Sequence, residues 1–310
     1  IDSIAPSIFF AFVISFLVSH YYLKPFKLAN RVKLGLAYKN GKPLFKLGIM
    51  MSVSRLLIIL FTFLLQVFIN EFASIEEVGY YHAGMLIINS YVGVVFTAMG
   101  TDYFPRLSSV ANNIHKLRET VKQQAYIAIL IITPFILLFL IVEKIAVIIL
   151  YSKEFLPMLS FLTWAIGGTI FKAVSFSMGY ILLAKGDSNL FLKTTVFFNL
   201  LLFTLNISGY YFFGLEGLGV SFCIYYILHL LLIGILTKKK YNFYFPARFN
   251  LTFLTCVILC ILGFVINYFY KDNFKFLYLG VLLFVSVVGS FYLLNKEVDF
   301  LEKIRSYLKK

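Results

Sequence analysis

The 310-residue chain is 61% hydrophobic, 19% aromatic and 14% charged, whereas soluble domains run near half apolar and about a quarter charged. That balance excludes a water-soluble fold, and apolar runs of about 20 residues, enough to cross roughly 30 Å of hydrocarbon, recur from end to end. The net charge of +14 could serve nucleic acid, but the basic residues cluster between apolar runs, as they do at a membrane surface.

Ile1 opens directly into a hydrophobic segment without an initiator Met or a signal-peptide layout, so further sequence is expected before it. The runs predict an all-α, polytopic bundle of about nine spans. They lie at Ile4 to Leu23, Leu47 to Asn70, Val78 to Gly100, Ala125 to Val142, Pro157 to Ala184, Asn189 to Phe213, Leu215 to Thr237, Phe249 to Tyr270 and Phe276 to Leu294. Ile145 to Tyr151 is apolar but too short to span, and reads either as a continuation of the fourth helix or as an interfacial turn.

Charge alternates from one connection to the next. The first carries Lys24, Lys27, Arg31, Lys33, Lys39, Lys42 and Lys46 without an acid, and the second carries Glu71, Glu76 and Glu77 without a base. Arg106, Lys116, Arg118 and Lys122 follow on the third, Lys238, Lys239, Lys240 and Arg248 on the seventh, and Lys296, Lys303, Arg305, Lys309 and Lys310 on the tail. Positive connections stay cytoplasmic, which places Ile1 outside and Lys310 inside. The stretches Lys24 to Lys46 and Lys296 to Lys310 are expected to lie as amphipathic segments on anionic headgroups. Tyr80, Tyr81, Tyr210, Tyr211, Tyr268 and Tyr270 fall near the outer ends, as interfacial anchors do. With connections of at most about 24 residues there is no room for a soluble catalytic module, and an enzyme is not expected.

Function is sought where the spans break the apolar rule, because polar groups at membrane depth face protein or water. In the second span Gly48, Ser52, Arg55, Thr62, Gln66 and Asn70 share a sector of roughly 80°. Arg55 lies roughly 13 Å from the cytoplasmic end, and a water-lined lumen is preferred there to a structural ion pair. His82, Asn89, Ser90, Gly93, Thr97 and Gly100 share a face of the third span, which either lines the same lumen or packs closely through its small residues. Lys172, near the midplane of the fifth span beside Gly168, Thr169, Ser175 and Gly179, could hold an anionic ligand, pair with a carboxylate or titrate. Lys193 lies near a cytoplasmic end and reads as snorkelling. His229 and His82 could carry protons, although a lone membrane histidine is more often a packing residue.

Other motifs fail on context. Cys223, Cys256 and Cys260 sit in apolar runs with no His or carboxylate at ligand spacing, so no metal is expected. Gly214, Gly217 and Gly219 lack the Lys-Ser or Lys-Thr pair of a phosphate loop and mark an outer turn. Pro134 is expected to kink its span. No acidic residue stands well inside a predicted span, which argues against a carboxylate ion site.

Val78-Gly79-Tyr80-Tyr81-His82-Ala83, Phe104-Pro105-Arg106-Leu107-Ser108 and the Gly214 to Gly219 turn with its apolar helix resemble, in order and placement, the polysaccharide transporter family. That family includes O-antigen flippases and belongs to the multidrug/oligosaccharidyl-lipid/polysaccharide exporter superfamily. The resemblance implies the C-terminal part of a twelve- to fourteen-helix flippase. Residues 1–46 would be the last helix of a first bundle and a basic cytoplasmic loop, 47–237 a second six-helix bundle, 238–294 an extra helix pair and 295–310 a cytoplasmic tail. It further implies alternating access driven by an ion gradient, without a cofactor. The substrate would be an undecaprenyl-diphosphate-linked oligosaccharide in the bacterial inner membrane, with a polysaccharide polymerase as a possible partner. Arg55, Lys172, Gln66 and Asn89 would meet that substrate. A multidrug or metabolite exporter, a lipid II flippase and a membrane glycosyl polymerase using Glu76 and Glu77 are the alternatives.

Overall fold

A computed structural model describes residues 4–23, 34–270 and 274–298, all in helices and short connections. The predicted basic stretch from Lys24 falls partly, and the tail beyond Val298 wholly, outside the described residues. The chain divides into two units, Ile1–Gly48 and Ile49–Lys310. In the first, α1 is Ile4–Leu23, with exposed apolar side chains from Phe9 to Tyr22.

The helix α2 is Leu34–Phe72, and its residues from Ile49 belong to the second unit. There α3 (Ile75–Tyr91) starts at Ser74, whose side chain caps the Glu77 amide while Glu76 and Glu77 occupy the positive end of the helix. The chain bends by 55° after Tyr91. It then passes through α4 (Gly93–Ala98), a π turn (Met99–Tyr103) and α5 (Phe104–Ser109), which has Pro105 in its first turn. Tyr103 fastens this broken segment to the next layer, donating its hydroxyl to Ser177 O at 2.7 Å.

Asn113 caps α6 (Ile114–Leu150) by accepting from the His115 and Lys116 amides. At 37 residues, α6 is about 55 Å long, well beyond the hydrocarbon thickness. It is continuous through Pro134 and through Ile145, so the short apolar run is a continuation of the fourth helix. A 3₁₀ turn (Lys153–Met158) leads into α7 (Leu159–Ala184).

A straight α8 (Ser188–Tyr241, 54 residues) would be about 81 Å long. Instead, Gly214 at φ 57°, ψ −140° folds it back, a backbone conformation that residues with a Cβ resist. We call its limbs α8a (188–213) and α8b (215–241). Ser221 Oγ donates to Leu205 O at 2.7 Å across the fold, and a Cβ on Gly209 would stand 2.5 Å from Gly217 O. At the base Asp187 binds the Tyr241 hydroxyl and, at 3.1 Å, Lys240. The Tyr241 hydrogen bond first, then Lys240, hold the Asp187 carboxyl below its ordinary range. Packing of α8b on α7 uses small residues, since a Cβ on Gly168 would meet Phe222 Cδ1 at 2.9 Å and one on Gly219 would meet Phe161 O at 2.5 Å.

The last pair, α9 (Ala247–Phe269) and α10 (Phe274–Val298), packs on α6 and is joined by Arg248 to Glu297 at 2.9 Å. Cys256 and Cys260 are buried in α9 without a disulfide, and the described residues hold no group of three or more metal-ligating side chains. Six described helices are long and apolar enough to cross a membrane, seven with the bent α3 to α5 segment. Eight of the nine predicted spans fall on described helices, two of them on α8, whereas the third, Val78 to Gly100, is broken after Tyr91 into α3, α4 and the π turn. The chain is an all-α, multi-pass membrane bundle.

Candidate substrate cavity

The polar face of α2 and that of α3 meet across a cavity of about 730 Å³, whose remaining walls are α7 and the two limbs of α8. Arg55, Thr62 and Gln66 line it from α2, Tyr81, His82 and Asn89 from α3, Lys172 and Phe176 from α7, and Asn199, Asn206, Phe222 and Tyr226 from α8. A Cβ on Gly93 of α4 would meet nothing within 4 Å, so close helix packing does not account for that part of the stripe read on the third predicted span. Close packing is found instead at Gly84, outside that stripe, where a Cβ would stand 2.7 Å from Phe161 Cδ1.

Lys172 is 9% exposed. Its Nζ stands 4.6 Å from the ring centre of Phe96, 5.5 Å from those of Phe176 and Tyr226, and 5.9 Å from that of Phe222. No carboxylate pairs with it among the described residues. Ring faces attract a cation by about 2 kcal/mol when it is desolvated, which compensates part of the cost of burial without neutralising the charge. A caged ammonium with no counter-ion remains available to an anion. Arg55 is exposed on the cavity wall, and Gln66 and Asn89 add amide donors and acceptors.

A second cavity of about 390 Å³ shares Ile58, Phe176, Asn199, Leu202 and Tyr226 with the first. His229 lines it, 9% exposed, with Nδ1 lacking a hydrogen-bond partner and Phe198 4.2 Å away between ring centres. Phe176 and Tyr226 therefore stand between Lys172 on one side and His229 on the other, with ring centres 6.1 and 6.3 Å from the imidazole. The structure thus brings Arg55, Gln66, His82, Asn89 and Lys172 to one cavity and sets His229 apart. The polar row Thr195, Asn199 and Asn206 was legible in the sequence and sends both asparagines to this cavity, whereas the aromatic cage was not singled out, although Phe176 follows Lys172 by four residues and Phe222 precedes Tyr226 by four, one helical turn each.

Tyr81 and Tyr210 are buried rather than interfacial, with the Tyr210 hydroxyl donating to Glu77 Oε2 at 2.7 Å. Tyr211, Tyr268 and Tyr270 are exposed, and so is Lys193.

The chain is 26% identical over 243 residues to a Shigella flexneri protein provisionally described as an O-antigen transporter, covering 76% of this chain and 56% of that one. It spans about half the length of this curated relative. The fold resembles that of lipid II flippase MurJ in its inward closed conformation, with a TM-score of 0.61 and 15% identity over 93% of this chain and 61% of that one. The profile of the family described as polysaccharide biosynthesis protein matches residues 6–160, half of the chain. The resemblance to polysaccharide transporters read from the sequence is in agreement, and the chain belongs to the polysaccharide biosynthesis protein family.

Proposed function

We propose that the chain is part of a flippase that moves an undecaprenyl-diphosphate-linked oligosaccharide across the bacterial cytoplasmic membrane by alternating access. The observation that carries this reading is the cavity inside the bundle whose largely apolar walls carry the cations Arg55 and Lys172 and the amides of Gln66, Asn89, Asn199 and Asn206. Lys172 and Arg55 attract the diphosphate, which is strongly disfavoured in hydrocarbon. Gln66 and Asn89 hydrogen-bond the sugar or the phosphates, and the substrate is carried rather than chemically altered. Residues 47–237 act as one six-helix bundle, 238–294 as an added pair, and His82 and His229 as candidate proton carriers. The fold likeness to a lipid II flippase supports lipid II as a second substrate reading.

Deleting the gene is expected to abolish surface polysaccharide while its lipid-linked unit accumulates in the membrane. Unchanged surface polysaccharide would overturn the reading. On the proposed orientation, a reporter fused after Lys240 is cytoplasmic and one inserted near Glu76 is external; the reverse labelling would invert the topology.

A further inference from the structure

A polar cluster away from both cavities joins α6, α7 and α9. Glu143 Oε1 accepts from Asn267 Nδ2 at 2.9 Å, and its Oε2 stands 3.0 Å from Thr163 Oγ1. The same Thr163 oxygen stands 2.8 Å from Leu159 O, one turn earlier on α7. A threonine hydroxyl has one proton and so donates to one of these two acceptors. The local i−4 carbonyl is the shorter contact and the habitual partner of a helical threonine. That leaves Glu143 Oε2 facing an oxygen lone pair, a contact that needs a proton of its own. Asn267 Oδ1, buried in the same cluster, has no hydrogen-bond partner.

The surroundings are sparse in charge. Lys275 on α10 is the cation whose field reaches Glu143, and Lys144 is its neighbour on α6. Next to Thr163, the Trp164 indole donates to Glu216 Oε1 of α8b at 3.0 Å and packs on Phe264 of α9, with ring centres 4.4 Å apart. The expectation that this chain has no place for a carboxylate ion site rested on ending the fourth span at Val142. Because α6 continues to Leu150, Glu143 is instead held within a helix and turned toward its neighbours.

We propose that Glu143, positioned by Thr163 and Asn267, is a proton-binding site of the bundle. With the proton on Oε2, the carboxyl donates to Thr163 Oγ1, Thr163 donates on to Leu159 O, and Oε1 still accepts from Asn267. On release the proton passes to water, and Glu143 Oε2 keeps its contact with Thr163 only if that hydroxyl turns its one proton away from Leu159 O. Proton occupancy is thereby tied to the contact of α7 with α6. The site does not depend on the identity of the substrate. The same three oxygen-bearing side chains could ligate another monovalent cation, sodium, and the test separates the two.

Trp164 is the chain's one tryptophan and adjoins the site. Its fluorescence in the purified full-length protein in nanodiscs, with Trp164→Phe as blank, is expected to titrate with pH in a one-proton step. Glu143→Gln keeps both contacts, donating to Thr163 and accepting from Asn267, and is expected to fold normally and lose the step. Glu216→Gln is expected to retain it, and replacing potassium by sodium at fixed pH is expected to change nothing. No step in the wild type, the same step in Glu143→Gln, its loss in Glu216→Gln, or a saturable response to sodium would each overturn the proposal.

Discussion

Replacing Lys172 by methionine in the full-length protein is expected to lower surface-polysaccharide export about 10- to 100-fold while leaving membrane insertion intact. A charged hydrogen bond contributes about 1.5–3 kcal/mol, and each 1.4 kcal/mol or so is a factor of ten. Lys172 has no carboxylate partner among the described residues and four aromatic rings around its ammonium, so its charge is committed to nothing but those ring faces. Methionine fills a similar volume against the same rings and removes the desolvation penalty of a buried cation. Protein abundance should therefore hold or rise as export falls, and that opposition separates a binding role from a structural one. Lys172→Ala should lose export as well, and Arg55→Ala should do so to a smaller degree, because Arg55 is exposed and water screens it. Normal export per inserted molecule in the Arg55→Ala, Lys172→Ala double variant would remove the cations from the mechanism.

The second large effect concerns the hairpin of α8. A Cβ on Gly217 would overlap the Gly209 carbonyl, backbone against backbone, where no side chain can swing aside. Overpacking a well-packed site costs about 1–3 kcal/mol even when side chains can adjust, and here the two limbs must separate. Gly217→Ala is expected to lower the thermal midpoint in detergent by more than any single methyl addition on the outer helices. Gly289→Ala on α10 is the control, since a Cβ there meets nothing within 4 Å. A wild-type midpoint for Gly217→Ala would mean that the limbs are not in contact. Because α8a and α8b both line the cavity, splaying them should also impair export.

Much of this architecture was readable along the chain, for reasons specific to membranes. Hydrocarbon admits only backbone that satisfies its own hydrogen bonds, so a long apolar run dictates a helix. The polar faces of α2 and α3 were visible because their residues recur at helical spacing, and that spacing alone sends Arg55, Gln66 and Asn89 to one side of their helices. Elsewhere spacing was silent. The tight reversal depends on one glycine at positive φ, whereas the sequence showed a turn spread over Gly214 to Gly219. The extension of α6 to Leu150 was left open because Glu143 and Lys144 interrupt the apolar run, as the end of a span would.

The sequence by itself determined that the chain is a multi-pass helical bundle and which faces of α2 and α3 carry polar residues, because both follow from short-range periodicity and the price of exposing polar groups to lipid. Only the tertiary structure decided what those faces meet. The cage around Lys172 draws rings from α4, α7 and α8b, and the partners of Glu143 lie 20 and 124 residues away. Contacts at such separations are set by how the helices pack, through the close approaches at Gly168, Gly217 and Gly219, and leave no periodic trace along the chain.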